Sequence, residues 1–378
     1  MEMPDGRSGH DVNRSIALTI RVTTLRAVVA RHPLLAFVAL AYGISWLCWG
    51  LMWLFDTGEA NGIFIVGATG PALAAMAVAA ILQPEPSGVS AGKRWRRFGW
   101  VWLLTFACLA LRRFWLTLGL VDITLRVDPS AIYPSRTALL LDVLATAAVA
   151  FVLTGTLSPR QGVRELLRAL DPRSQPVRWY WWVLAVGLYP VVMALGNTLS
   201  AALGQAVPAR RAGGAWVWLA TDVVLTFVYV LLFGGGLEEP GWRGFVLPRL
   251  LKRFSPLGSS LILAVIWAFW HWPIFWFGYF GGGPFGVFGF ALGVAPLAIL
   301  LTAVFNRSGG SLLAVVLLHT SVNITPTYLP ASTLSVSLWM LLVAGVAVRM
   351  WRFPRSFSSP KMARRLGEGP GNRREEEA

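Results

Sequence analysis

Glu238 and Glu239 are followed by Arg243 in the run LEEPGWR, at the end of a long apolar segment. A charged side chain near the bilayer centre costs roughly 2.5–3.5 kcal/mol even on the permissive insertion scale, so ionisable residues kept there mark a functional site by default. On a helix Glu239 and Arg243 share a face in the favourable acid-first order, which makes Arg243 the partner of Glu239. Glu238 is rotated about 100° away. Left without that partner, it is free to take up and release a proton, as a general base must. His319 and Asn323 are also four apart and share a face, and both side chains can donate hydrogen bonds. His271 lies in WAFWHWP, an aromatic collar able to shape and dry a cavity. Such a set could transfer protons beside hydrogen-bond donors. It could equally ligate a metal, with Glu238, His271 and His319 as the zinc ligands and an open position for water.

These residues must be held by membrane helices. The chain has 378 residues, of which 56% are hydrophobic and only 13% charged, against about 25% charged in a soluble domain. Its mean hydropathy is +0.60. The apolar residues come in blocks, not in alternation, so the expected fold is an all-α polytopic membrane protein and not a β-barrel. Ten spans are expected, at about 34–55, 62–83, 99–120, 137–157, 179–204, 215–237, 257–279, 285–305, 310–328 and 333–350. The loops sort by charge. Basic residues crowd the N-terminal tail, 84–98, 158–178, 243–256, Arg307 and the C-terminal tail, whereas Asp56 and Glu59 mark the alternate side. The positive-inside rule then puts both termini in the cytoplasm of a multi-pass cell-membrane protein. Arg210 and Arg211 run against the pattern.

Measured from their cytoplasmic ends, Glu238 precedes Lys252, His271 follows Ser255 and His319 follows Arg307 by 12 to 16 positions. At 1.5 Å per residue all three lie roughly 18–24 Å along their helices. Matched depth on three spans predicts one shared site.

The net charge of +15 does not mark a nucleic-acid binder, because its residues fall in short loops between apolar blocks. Cys48 and Cys108 each sit alone in an apolar segment, so they are packing residues with no disulfide and no cysteine metal site. The first 30 residues show no cleavable signal pattern, and Arg7, Arg14, Arg21, Arg26 and Arg31 precede an uncleaved first span. Residues 1–33 are expected to form a basic cytoplasmic tail, 34–353 the helical membrane domain, and 354–378 a disordered cytoplasmic tail. The Ala/Gly/Arg-rich composition points to a GC-rich bacterial source.

Two further features stand out. Within 158–178, Ser158-Pro159 reads as a cap with a first-turn proline. Val163, Leu166, Leu167 and Leu170 share a face, so a short amphipathic interfacial helix is expected there. Arg112, Arg113, Asp142 and Asp222 fall toward the outer ends of their spans and are expected to form a buried ion cluster, unless the third span stops before Arg112.

The motif set resembles that of the CPBP family of intramembrane proteases, the CAAX proteases and bacteriocin-processing enzymes also called the ABI family. Glu-Glu-x-x-x-Arg matches Glu238, Glu239 and Arg243, within GLEEPGWRGFVLPRLLKRF. The second motif, usually Phe-x-x-x-His, is Trp267-x-x-x-His271, and His-x-x-x-Asn matches His319 and Asn323. GPALAAM at 70–76 and the text over 160–186 also look like the family, so the resemblance covers roughly 60–330, with a CPBP core at about 137–350 and its motifs at 238–323. It implies a glutamate-dependent endopeptidase without a cofactor. Glu238 and His271 would activate water, His319 and Asn323 would hold the oxyanion, and Glu239 and Arg243 would support the site. The partners implied are a membrane-associated peptide or protein substrate and the lipid bilayer. Three other readings stay open: a zinc metalloprotease, although no HExxH spacing occurs; a non-proteolytic bacteriocin-immunity or scaffolding protein; and a transporter, although no repeat appears.

Overall fold

The computed structural model describes residues 24–55, 61–117, 136–208 and 216–357. The expected tails, apart from 24–33 and 354–357, lie outside the described residues, as do Asp56, Glu59, Arg210 and Arg211. Among the described residues all regular structure is helical. A helix at 24–31, α1, precedes α2 (Pro33–Phe55), α3 (Asn61–Ala68), α4 (Gly70–Leu82), α5 (Ala91–Thr117), α6 (Arg136–Thr154) and α7 (Gln161–Arg168). Then come α8 (Tyr180–Ala202), α9 (Trp216–Phe233), and two very short helices, α10 (Glu239–Gly241) and α11 (Leu247–Leu250). The chain continues as α12 (Pro256–Trp270), α13 (Trp272–Trp276), α14 (Gly286–Arg307), α15 (Leu312–Tyr328) and α16 (Thr333–Arg352).

Each of the ten expected spans contains helix in its described part, with breaks at Thr69, Gly234 and His271. Six segments are long and apolar enough to cross a membrane, or seven if α3 and α4, bent by 44° at their junction, count as one. The remainder fall short for separate reasons. α12 and α15 have only 15 and 17 residues, and α5 carries Lys93, Arg94, Arg96, Arg97, Arg112 and Arg113.

α5 does not stop before Arg112. It continues to Thr117, and the expected ion cluster forms. Arg113 pairs with Asp142 of α6, with Nη2 2.6 Å from Oδ1 and Nε on Oδ2. Arg112 Nη1 lies 3.5 Å from Asp222 Oδ1 of α9. Asp222 also accepts from Trp115 Nε1 at 3.1 Å and from the Tyr328 hydroxyl at 2.5 Å. Tyr328 closes α15, so this buried cluster ties together α5, α6, α9 and α15.

The amphipathic helix is present as α7, with a different start. Arg160 is its N-cap, because Pro159 is occupied in pairing the 84–87 loop, where its carbonyl accepts from Ser87 N–H at 2.7 Å. The apolar face of α7 is buried in protein. Val163 is 1% exposed, and Gly162 lies so close to Ala79 of α4 that a Cβ would sit 2.2 Å from its carbonyl oxygen. At the other end, Pro354–Phe357 forms a 3-10 turn with Phe357 buried, so ordered chain runs past the expected start of the tail.

The centre of the fold is the segment between α9 and α12. α4 packs on it from one side, with Gly241 so close to Pro71 that a methyl group there would sit 2.6 Å from it. α15 closes the opposite side, α12 lies along α14, and α15 lies along α8.

Removing one member of a buried ion pair costs about 3–5 kcal/mol. Asp142→Arg is therefore expected to lower the unfolding free energy by about that amount, and Arg113→Asp in the same chain should restore part of it. Unfolding of the purified protein in detergent measures both; equal losses in the single and double variants would refute the pairing.

Candidate active site

α9 ends at Phe233, and the helix breaks at Gly234, whose φ of −112° and ψ of −147° are not helical. The chain then winds as a 3-10 turn over Gly235–Glu238, α10, a π turn over Trp242–Val246, and α11. The break thus falls at the glycines and not at Pro240. Pro240 lies in the first turn of α10, where its missing N–H leaves no hydrogen bond unmade. π turns of this kind are frequent at functional sites.

Glu239 is completely buried. Its two carboxylate oxygens accept from Arg243 Nη1 at 2.9 and 3.1 Å, the expected i,i+4 pair. Oε1 also takes a 2.7 Å hydrogen bond with His319 Nδ1. Arg243 is equally buried, and its guanidinium lies over the Trp267 ring, 4.5 Å from the centroid. A ring face attracts a cation at such a distance. Nε and Nη2 of Arg243 have no hydrogen-bond partner among the described residues.

Glu238 differs from the expectation of a bare carboxylate. Its Oε2 accepts from two indoles, Trp267 Nε1 at 2.6 Å and Trp242 Nε1 at 3.2 Å. Oε1 has no hydrogen-bond partner among the described residues. His271, at the end of α12, bonds through Nδ1 to the Trp267 carbonyl at 2.9 Å. The carbonyl can only accept, so in neutral His271 the proton is on Nδ1 and the lone pair on Nε2. The Trp267 ring also lies 5.1 Å from the His319 ring, edge to face.

His319 and Asn323 meet at Gly235. A Cβ on Gly235 would sit 2.5 Å from Cε1 and Nε2 of His319 and 2.8 Å from Nδ2 of Asn323. Both donors therefore converge on one small volume that only a glycine leaves open. Asn323 is exposed, whereas Glu238, His271 and His319 are nearly buried, so the site opens beside Asn323.

The motif residues fall into two linked sets, with Trp267 packed against both. Glu239, Arg243 and His319 are bonded directly, and Glu238 and His271 both attach to Trp267. The motif reading includes Trp267 but not its bond to Glu238, and it omits Trp242. Trp242 lies four after Glu238 and Trp267 four before His271, and that spacing on a helix was the available signal. No group of three or more His, Cys, Asp or Glu among the described residues is disposed to hold a metal ion.

A buried polar site in a broken membrane helix, formed by a carboxylate pair, two histidines and an amide, defines the class: a polytopic α-helical membrane protein with a Glu/His centre. Residues 218–325 match the family described as type II CAAX prenyl endopeptidase Rce1-like. A curated relative, the CAAX prenyl protease 2 of Methanococcus maripaludis, is 25% identical over 143 residues, covering 36% of this chain and 52% of the relative. The match thus spans about half the length of that relative. Both findings support the CPBP family for the core that carries the three motifs.

Deleting Glu239 would strand Arg243 in the interior, so Glu239→Ala is expected to destabilise the protein by about 3–5 kcal/mol. In Glu238→Gln the amide oxygen still accepts both indoles and Arg243 keeps its carboxylate, so the loss should be smaller, about 1–3 kcal/mol. Equilibrium unfolding in detergent ranks the two, and an equal loss would contradict the division into two sets.

Proposed function

We propose that the protein is an intramembrane endopeptidase that hydrolyses a peptide bond of a membrane-associated peptide or protein. The observation that carries this reading is the joint attachment of Glu238 and His271 to Trp267, beside a volume into which His319 and Asn323 both point. Glu238 Oε1 and His271 Nε2 hold a water between them. The water oxygen attacks the substrate carbonyl as Glu238 takes one of its protons. His319 Nε2 and Asn323 Nδ2 donate to the oxyanion that forms. When the tetrahedral species collapses, the C–N bond breaks and Glu238 returns the proton to the departing amine. No metal is needed in this sequence of steps, and catalysis is expected to survive chelators.

For His319 Nε2 to donate while Nδ1 bonds to Glu239, the ring must be the imidazolium, in which both nitrogens carry protons. The four charges of Glu238, Glu239, Arg243 and His319 then sum to zero. A buried set with no net charge avoids the penalty of an uncompensated ion. Glu239 and Arg243 thereby support the oxyanion donors without touching the substrate. The basic loops support an orientation with both termini in the cytoplasm, and the relative's name supports a substrate cleaved close to a membrane anchor.

The test is cleavage by the purified chain in liposomes, alongside quantitative proteomics of cells carrying wild type or variants. Glu238→Gln should lower kcat by about 10²–10⁴, and Asn323→Ala by about 10²–10³. Trp267→Phe keeps an aromatic ring, though a smaller one, and deletes one hydrogen bond to a charged group, a loss of about 1.5–3 kcal/mol, so kcat should fall about tenfold to a hundredfold with little change in KM. Gly235→Ala should inactivate by filling the volume beside His319. An unchanged substrate profile in Glu238→Gln and His271→Ala, at unchanged protein level, would end the protease reading.

A further inference from the structure

Away from the site, the N-terminal turns of α5, the C-terminal end of α6 and the α7 region enclose a cavity of about 770 Å³. Its size lies within the roughly 300–1,000 Å³ range of ligand pockets. Its wall carries six arginines, Arg94, Arg97, Arg160, Arg164, Arg168 and Arg173, against one carboxylate, Asp171. None of the six takes part in the four ion pairs found among the described residues.

Three of these arginines are fixed in place from one side. Arg94 Nη1 donates to the Val89 carbonyl at 2.7 Å, Arg164 Nη1 to the Ser87 carbonyl at 2.6 Å, and Arg160 to the Pro84 carbonyl. Each guanidinium keeps further donors, and Arg94 Nε is buried without a partner. Side chains held this way lose little freedom when a ligand arrives, which favours binding. Like charges gathered without counter-charges repel, and an anion in the cavity relieves that repulsion.

The rest of the wall identifies the anion. Trp100, Val101, Leu153 and Leu167 also line the cavity, and Trp100 is 70% exposed. Beyond it on α5, Leu103 and Leu104 are 55% and 63% exposed. The basic cavity therefore opens onto an apolar strip suited to acyl chains. A free phosphate or an acidic peptide would use the arginines but not that strip.

We propose that this cavity binds the phosphate headgroup of an anionic phospholipid, with its chains along α5. Basic pockets between membrane helices recognise such headgroups. An occupied headgroup would bridge α5, α6 and α7, and α7 packs on α4, which in turn packs on the Glu238–Glu239 segment.

The test measures binding to the purified full chain in neutral detergent by native mass spectrometry and thermal shift. The probes are phosphatidylglycerol, phosphatidylcholine of the same chains, inorganic phosphate and an oligoglutamate peptide. Wild type should bind phosphatidylglycerol about tenfold more tightly than phosphatidylcholine, or better. Arg97→Gln/Arg168→Gln/Arg173→Gln, exposed positions chosen to spare the fold, should abolish that preference. Arg253→Gln/Arg349→Gln/Arg352→Gln removes the same charge elsewhere and should keep it. Equal loss in both triple variants would reduce the effect to general electrostatics and overturn the proposal. So would displacement of the lipid by millimolar inorganic phosphate, or oligoglutamate binding as tight as the lipid and sensitive to the same triple variant.

Discussion

The carboxylate of Glu239 is the interaction on which the site depends. It has no access to solvent, and it joins Arg243, four positions further along the broken segment, to His319 on a helix 80 positions away in sequence. In a low-dielectric interior neither the acid nor the base could stand alone, because stranding either leaves an uncompensated charge. The pairing therefore couples the fold of the segment to the position of α15. Everything else about the centre is arranged around that constraint: Trp267 covers the open face of Arg243, and its N–H fastens Glu238.

The irregular winding from Gly234 to Leu250 follows from the same requirement. Adjacent carboxylates on a helix point about 100° apart, which sends Glu239 to Arg243 and His319 and Glu238 to the two indoles. The bare backbone at Gly235 lets His319 and Asn323 close in, and Gly241 lets α4 approach the segment. Helix irregularity at membrane depth is tolerated where it is buried in protein or lines a cavity, and this segment is buried apart from the half-buried Gly234, Gly244 and Arg249. The second polar cluster, at Asp222, complements it by holding α9 and the far end of α15. The two helices that carry Glu238 and His319 toward one another are thus registered at two levels.

Much of this was legible in the residues. Glu239 with Arg243, the level shared with the two histidines, and the pairing of Arg113 with Asp142 all follow from spacing on helices and from the cost of isolated charge. What spacing hides is the use made of aromatic rings. WAFWHWP reads as a packing collar, and much of it is; Trp270 is a buried core residue packed on Trp49 and Trp242. Only the three-dimensional arrangement distinguishes Trp267, whose N–H meets a carboxylate from another element. The start of α7 is hidden for a similar reason, since Pro159 is occupied by the 84–87 loop, far off in sequence. The division of α12 and α13 at His271 is by contrast local, since Pro273 stands in the first turn of α13 and cannot donate to the preceding turn.

The shortness of α12 and α15 has a consequence for the bilayer. At 1.5 Å per residue, helices of 15 and 17 residues extend roughly 22–26 Å, less than the ~30 Å hydrocarbon thickness. A membrane meets such a mismatch by thinning around the short elements. These are the helices that carry His271 and His319, so the site rests on elements shorter than the hydrocarbon layer they stand in.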